Sequence, residues 1–269
     1  MQVRVLLRAR VEPFNLESTF RRLVLASQLG IPDADQDQGA EYPGLKGGRM
    51  PRLRVHNFTI SLDGYGAGPN QRLEEPLGQG GRELHEWIFR TRSGRAMLGQ
   101  DDGESGINDD LFRAHSTGIG ATIMGRNMFG PIRGAWPDES WRGWWGEDPP
   151  FGHDVFVLTH HQRAQLAMRN GTTFHFVDTT PREVLDMAIR AAEGQDVALG
   201  GGPATIRSFL NAGLVDEMHV AIAPVLLGEG ERLFEQLRVD VTGYSCSELT
   251  CFAGIAHAQL SRAQPKSDE

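Results

Sequence analysis

The stretch VALGGGPATIRSFLNAGLVDEMHVAIAPVLLGEG, Val197 to Gly230, decides the reading of this chain. It opens on a short apolar run, Val197-Ala198-Leu199, followed by three glycines and a proline. Pro203 stands where a helix takes its first residue, which its fixed φ and missing N–H suit. Ile206, Phe209 and Leu210 recur at helical spacing, and Gly213 falls where a helix ends in a left-handed residue. Met218, Val220 and Ile222 then alternate with His219, Ala221 and Ala223 as a strand, which Pro224 stops. The order is strand, glycine turn, helix, strand. Such a turn is either a plain tight connection or a phosphate cradle, because glycines admit a ligand to the backbone and a helix N-terminus offers unpaired N–H groups.

Composition sets the outer limits. The chain has 269 residues with 39% hydrophobic and 23% charged, enough for one large α/β domain or two small ones. A formal net charge of -8 argues against nucleic acid or an anionic membrane as a partner. The longest apolar runs are too short for a transmembrane helix. The 2 cysteines, Cys246 and Cys251, fall on one expected strand at an odd separation, so they are expected on opposite faces and unpaired. Cysteine usage this low fits a reduced, cytoplasmic setting. His160 and His161 have no companion ligands, so no metal site is expected.

Outward from the central stretch, residues 1–49 are expected to be a disordered or extraneous extension, with Met50 the natural start, and 263–269 a polar tail. The folded domain is expected over 50–262. Leu53 to Ile60 reads as a buried strand running into the Asp63-Gly64 turn. Pro69 to Gly81 is loop, and Glu83 to Phe89 is a short helix. Thr91 to Ser105 reads as polar loop, and Asp109 to His115 as helix. Gly118 to Met124 is a strand that leads into Gly125-Arg126. A loop with Trp136, Trp141, Trp144 and Trp145 follows, readable as a lid or as a dimer surface. Asp154 to Leu158 and Thr173 to Val177 are strands, and Pro181 to Ala192 is an amphipathic helix. Leu233 to Leu237 reads as a helical turn. Val239 to Phe252 and Ile255 to Leu260 read as a closing antiparallel pair.

Strands alternating with helices give an α/β fold, a mixed, mainly parallel sheet flanked by helices with antiparallel C-terminal strands. In such sheets ligands sit beyond the carboxyl ends of the strands. Three loops there carry chemistry: Gly125-Arg126, Thr159-His160 and Gly200 to Thr205.

Thr59-Ile-Ser-Leu-Asp-Gly64, Ile123-Met-Gly-Arg126, Gly200-Gly-Gly-Pro203, Ala212-Gly-Leu-Val-Asp-Glu217 and Ala223-Pro-Val-Leu-Leu-Gly228, in this order, resemble the dihydrofolate reductase-like fold. The nearest branch is the RibD C-terminal domain, the reductase half of the riboflavin-biosynthesis deaminase–reductases. The resemblance spans about residues 53 to 260. It implies NADPH as cofactor, a homodimer, and reduction of 5-amino-6-(5-phosphoribosylamino)uracil or a related small molecule by hydride transfer. It implies cofactor contacts at Ile60, Gly125, Arg126, Thr159, His160 and Arg163, and at Gly200, Gly201, Gly202, Pro203, Ala204 and Thr205. It further implies substrate contacts at Ser61, Asp63 and Trp87. Asp63 is the candidate for orienting substrate or relaying a proton, or else a residue that only closes its own turn.

The chain also departs from that family. It lacks the His-x-Glu and Pro-Cys-x-x-Cys signature of the deaminase half. Asn127-Met-Phe-Gly-Pro131 replaces the Asp-Asp-Pro-x-Leu-Thr segment, and Gly200 stands where an acid often precedes the Gly-Pro turn. Dihydrofolate or pteridine reduction, and a non-catalytic dimeric nucleotide-binding role, are the alternatives.

Overall fold

The computed structural model describes residues 49–97, 99–114, 116–132, 134–136, 138–238 and 243–262. The expected N-terminal extension (1–48), the tail 263–269 and the start of the closing pair at 239–242 lie outside them. The chain runs β1 (Leu53–Ser61), β2 (Tyr65–Ala67), a 3-10 turn (Gly81–His85), α1 (Glu86–Arg90), α2 (Arg92–Met97), α3 (Ile107–Ala114), β3 (Ile119–Gly125) and α4 (Arg126–Phe129). It continues with β4 (Asp154–Leu158), β5 (Leu166–Ala167), β6 (Thr173–Val177), α5 (Pro181–Ala191), β7 (Asp196–Leu199) and α6 (Pro203–Asn211). The last elements are β8 (Glu217–Ala223), β9 (Glu231–Arg232), β10 (Tyr244–Phe252) and β11 (Ile255–Arg262).

A nine-stranded sheet in the order β10-β11-β8-β1-β7-β3-β4-β6-β5 forms the centre. The strands from β8 to β6 pair in parallel, whereas β10, β11 and β5 are antiparallel. On one face α5 and α6 lay Val184, Leu185, Ala188, Ile206, Phe209 and Leu210 onto Val55, Ile123, Phe156, Leu199 and Val220. Both helices have clear start signals. Thr180 and Glu183 form a reciprocal capping box with Pro181 in the first turn of α5. Pro203 opens α6, and Gly213, at φ 63, ends it.

The opposite face is covered in two pieces. Over β8 and β11, the 3-10 turn and α1 to α3 bury Leu84, Trp87, Ile88, Met97 and Phe112. Over β3, β4 and β6, the loop after α4 buries Trp144 and Trp145 against Phe129, Val155, Val157 and Phe174. The tryptophan-rich segment is therefore a core layer, which corrects the reading of it as a lid.

A bulge in β1 shifts the register between Val55 and Phe58, with Asn57 at φ 52. The extra residue inverts the alternation, so Leu53, Val55, Phe58 and Ile60 all pack on the α5–α6 face. A chain of hydrogen bonds fixes the bulge from behind. The Asn57 N–H donates to His219 Nδ1 (3.2 Å), the rings of His219 and His257 are joined at 3.0 Å, and His257 Nε2 lies 2.9 Å from Asn108 Oδ1. Because His219 Nδ1 accepts, each Nε2–H in the chain must donate, and both rings are neutral.

Four local expectations are corrected. Arg92–Met97 is helical, not loop. Residues 233–237 form no helix; the preceding Glu231 and Arg232 are a strand paired with β2. Glu83 to Phe89 splits into the 3-10 turn and α1. A bulge between Cys246 and Glu248 brings both cysteines to one face, opposite Leu260 and Ala256. Both are exposed free thiols.

Candidate active site

The sheet opens at its centre. β1 and β7 pair only at Leu53↔Val197 and Arg54↔Ala198. Beyond that point β1 follows β8 as far as Ser61↔Ala223, while β7 stays with β3 to Ile123↔Leu199. The glycine turn stands at this fork. The Gly200 N–H donates to the Ile123 carbonyl (2.8 Å) and the Gly125 N–H to the Gly201 carbonyl (2.9 Å), lacing the turns after β3 and β7 together. The Gly201–Gly202 peptide is cis.

The glycines differ in why they are glycine. A Cβ at Gly125 would collide with Thr205 Oγ1, and one at Gly200 would come within 2.6 Å of Met128 Sδ. At Gly201 and Gly202 the nearest atoms would be Phe58 at 3.4 Å and Glu231 Oε2 at 3.8 Å, ordinary contacts, and neither residue has a positive φ. Packing leaves room there for a side chain. The missing Cβ atoms instead leave bare backbone at the N-terminus of α6, whose first-turn N–H groups have no intrahelical acceptors. That is the geometry of an anion cradle.

Arg126 follows β3 directly, and its guanidinium carbon lies 3.9 Å from the centre of the Trp136 ring. Arg163, after β4, lies 5.3 Å from the same ring. Arg163 also donates to the carbonyls of Trp141 (2.9 Å) and Glu139. The Trp136 indole N–H donates to the His161 carbonyl at 2.5 Å. Two guanidinium groups thus converge on one indole at the C-terminal ends of β3 and β4, and contacts of this kind are worth about 0.5–2 kcal/mol. Thr159 is buried and its hydroxyl accepts the His161 N–H (3.1 Å). His160 points elsewhere. Its side chain is 92% exposed and its Nδ1 lies 2.8 Å from Asp178 Oδ1.

Asp63 closes its own turn, one of the two roles expected for it. Its carboxylate accepts from the Ser61 hydroxyl (2.5 Å) and from the N–H groups of Leu227 (3.1 Å) and Gly228 (2.7 Å). The Ser61 hydroxyl, followed by these backbone donors, holds its pKa down at about 2. An acid so strongly ionised offers no proton at neutral pH; it ties the turn after β1 to the loop after β8. Ser61 is fully buried and accepts the Tyr65 N–H (2.9 Å), so it serves the same turn. Trp87 is core: its indole N–H donates to Thr59 Oγ1 (3.1 Å) and its ring meets His257 edge-on. Ile60 belongs to the α5–α6 core at 6% exposure.

Sequence reasoning missed three residues: Phe58 and Glu231 beside the cradle, and Trp136 beside Arg126. Phe58 was legible as apolar but not as bulge-directed. Its ring lies against Gly201 and against Gly66, where a Cβ would approach it to 2.7 Å. Trp136 was one of four tryptophans with nothing local to single it out. Glu231 reaches Gly202 only because β9 pairs with β2 through Ala67↔Glu231. Among the described residues, no three His, Cys, Asp or Glu side chains gather as metal ligands, and no helix is long and apolar enough to cross a membrane.

A forked, mainly parallel sheet with antiparallel strands at its edges, and a glycine cradle and an arginine at neighbouring strand ends, defines a mixed α/β protein with its candidate site at the fork. Within that class the chain belongs to the RibD C-terminal domain family, whose sequence profile matches residues 54–253. A protein from Shewanella sp. PV-4, provisionally assigned to riboflavin biosynthesis, has the same fold: TM-score 0.53, 18% identity, covering 80% of this chain and 100% of that one. A dihydrofolate reductase from Enterococcus faecalis aligns with TM-score 0.46 at 12% identity, over 80% of this chain and 98% of its own. The uncharacterised protein YyaP of Bacillus subtilis is 33% identical over 113 residues, which are 40% of this chain and 60% of that relative's length.

Proposed function

We propose that the protein is an NADPH-dependent reductase acting on a heterocyclic or ribosylamine substrate of the riboflavin-pathway type, nominally 5-amino-6-(5-phosphoribosylamino)uracil. The observation that carries this reading is the bare backbone of Gly201 and Gly202, which neither backbone φ nor packing demands. Gly200 to Thr205 would hold the pyrophosphate. Gly125, Arg126, Thr159 and Arg163 would hold the adenosine 2′-phosphate. Arginine's planar fork suits phosphate oxygens, and Trp136 keeps the Arg126 fork from sweeping through solvent. NADPH, when bound, supplies the hydride. The chain's own residues bind and orient. Phe58 backs the cradle, Asp63 stays ionised and clamps the loop of Leu227 and Gly228, and the aromatic layer under β3 and β4 excludes water from that side. Membership of the RibD C-terminal domain family supports the reading. Turnover is the test. NADPH oxidation followed by absorbance should depend on the uracil ribosylamine; oxidation that responds to dihydrofolate and not to it would move the substrate to the pteridine class.

A further inference from the structure

The order of the strands orients a dinucleotide in this site. The arginines stand after β3 and β4, on one side of the glycine turn that follows β7. β1 and β8 lie on the other side. A dinucleotide with its phosphorylated adenosine over β3 and β4 and its pyrophosphate at Gly201–Gly202 therefore runs its second nucleoside toward β1. There, the ribbon of β2 and β9 carries Glu231 to the turn, with Oε2 3.8 Å from the position of a Gly202 Cβ.

Glu231 is half-buried, and its side chain makes no hydrogen bond or ion pair among the described residues. The nearby cations are committed elsewhere. Arg232 donates to the Asp63 carbonyl (2.5 Å) and lies over the Tyr65 ring at 4.2 Å. Arg207 donates to the Arg232 carbonyl and pairs with Glu235 at 3.3 Å. An ionised carboxylate only accepts hydrogen bonds, so the partner it lacks must be a donor. Phosphate oxygens are acceptors too and do not supply one. A vicinal diol supplies two O–H donors to the two carboxylate oxygens. We infer that Glu231 receives the ribose hydroxyls of the nicotinamide half of the dinucleotide, an inference that rests on the NADPH reading above. It sets the direction in which the ligand lies and discriminates against ligands that end at the pyrophosphate.

The test compares two ligands by tryptophan fluorescence in the wild type, Glu231→Ala and Glu231→Gln. NADPH has the second ribose; adenosine 2′-phosphate 5′-diphosphate has the same phosphates without it. Glu231→Ala should weaken NADPH roughly ten- to hundredfold, the size expected for hydrogen bonds to a charged group. It should leave binding of the shorter ligand unchanged. Glu231→Gln, isosteric and keeping one acceptor, should fall between, and serves alone if the alanine variant unfolds. Unchanged NADPH affinity, or equal loss for both ligands, overturns the inference while leaving the cofactor reading intact. A wild type that binds neither ligand overturns both.

Discussion

Asp63 and Glu231 act oppositely, since one carboxylate is saturated with donors and the other has none among the described residues. Asp63 titrates at about 2, below the usual carboxylate value near 4. A group whose folded pKa is depressed stabilises the fold above its unfolded pKa, and that contribution is lost as pH falls from about 4 to about 2. Asp63→Asn should accordingly lower the thermal midpoint at neutral pH, with the gap to wild type closing toward pH 2 in a pH series of melts. The DG dipeptide made the turn legible; the donors from Leu227 and Gly228 were not, because a distant loop supplies them. At Gly202 a Cβ meets nothing closer than 3.8 Å. Gly202→Val should therefore fold, with a melt close to wild type, yet lose dinucleotide binding. Arg126→Ala should weaken NADPH by roughly ten- to hundredfold while changing NADH little, given the worth of charged hydrogen bonds to a phosphate. Equal losses for the two cofactors would contradict a 2′-phosphate role.

Among the elements, the segment from Phe129 to Trp145 shows most plainly how a sequence signal can be seen and misassigned. Four tryptophans announce that this loop is not solvated slack. Only the structure shows Trp145, 4% exposed, stacked on Phe174 at 6.0 Å. Trp145→Ala should cost about 3–5 kcal/mol in urea unfolding, the range for deleting a buried aromatic; a mobile lid would lose activity without losing stability. α2 was missed for the same kind of reason. Gly94 reads as a breaker, but a Cβ there would collide with the Ile88 carbonyl, and its N–H is held by Thr91 Oγ1 at 2.9 Å. Close packing, not flexibility, put glycine there. β9 could not be read because two residues carry no periodicity and their partner strand lies far away in sequence. The α5 and α6 helices were legible to within a residue or so, since Pro181, Pro203 and Gly213 mark their ends locally.

For the whole molecule, alternating strands and helices were enough to give a mainly parallel sheet with antiparallel C-terminal strands. The fork between β1 and β7 was not, because it depends on a bulge set by Asn57 and held by His219, His257 and Asn108. Burial holds His153 at about 4 and also lowers His257. Unfolded histidines titrate near 6.5, so below that pH the unfolded chain binds more protons and stability falls as pH drops from about 6.5 toward about 4. Thermal midpoints should be lower at pH 5 than at pH 7; equal midpoints would show these rings to be accessible. The cofactor claim joins the glycine cradle, the converging arginines and the split sheet into one site. Its most direct measurement is a titration of the intact protein with NADPH and NADH, followed by tryptophan fluorescence. Saturable binding, tighter for NADPH, is the expected result. No binding of NADPH at millimolar concentration would contradict it.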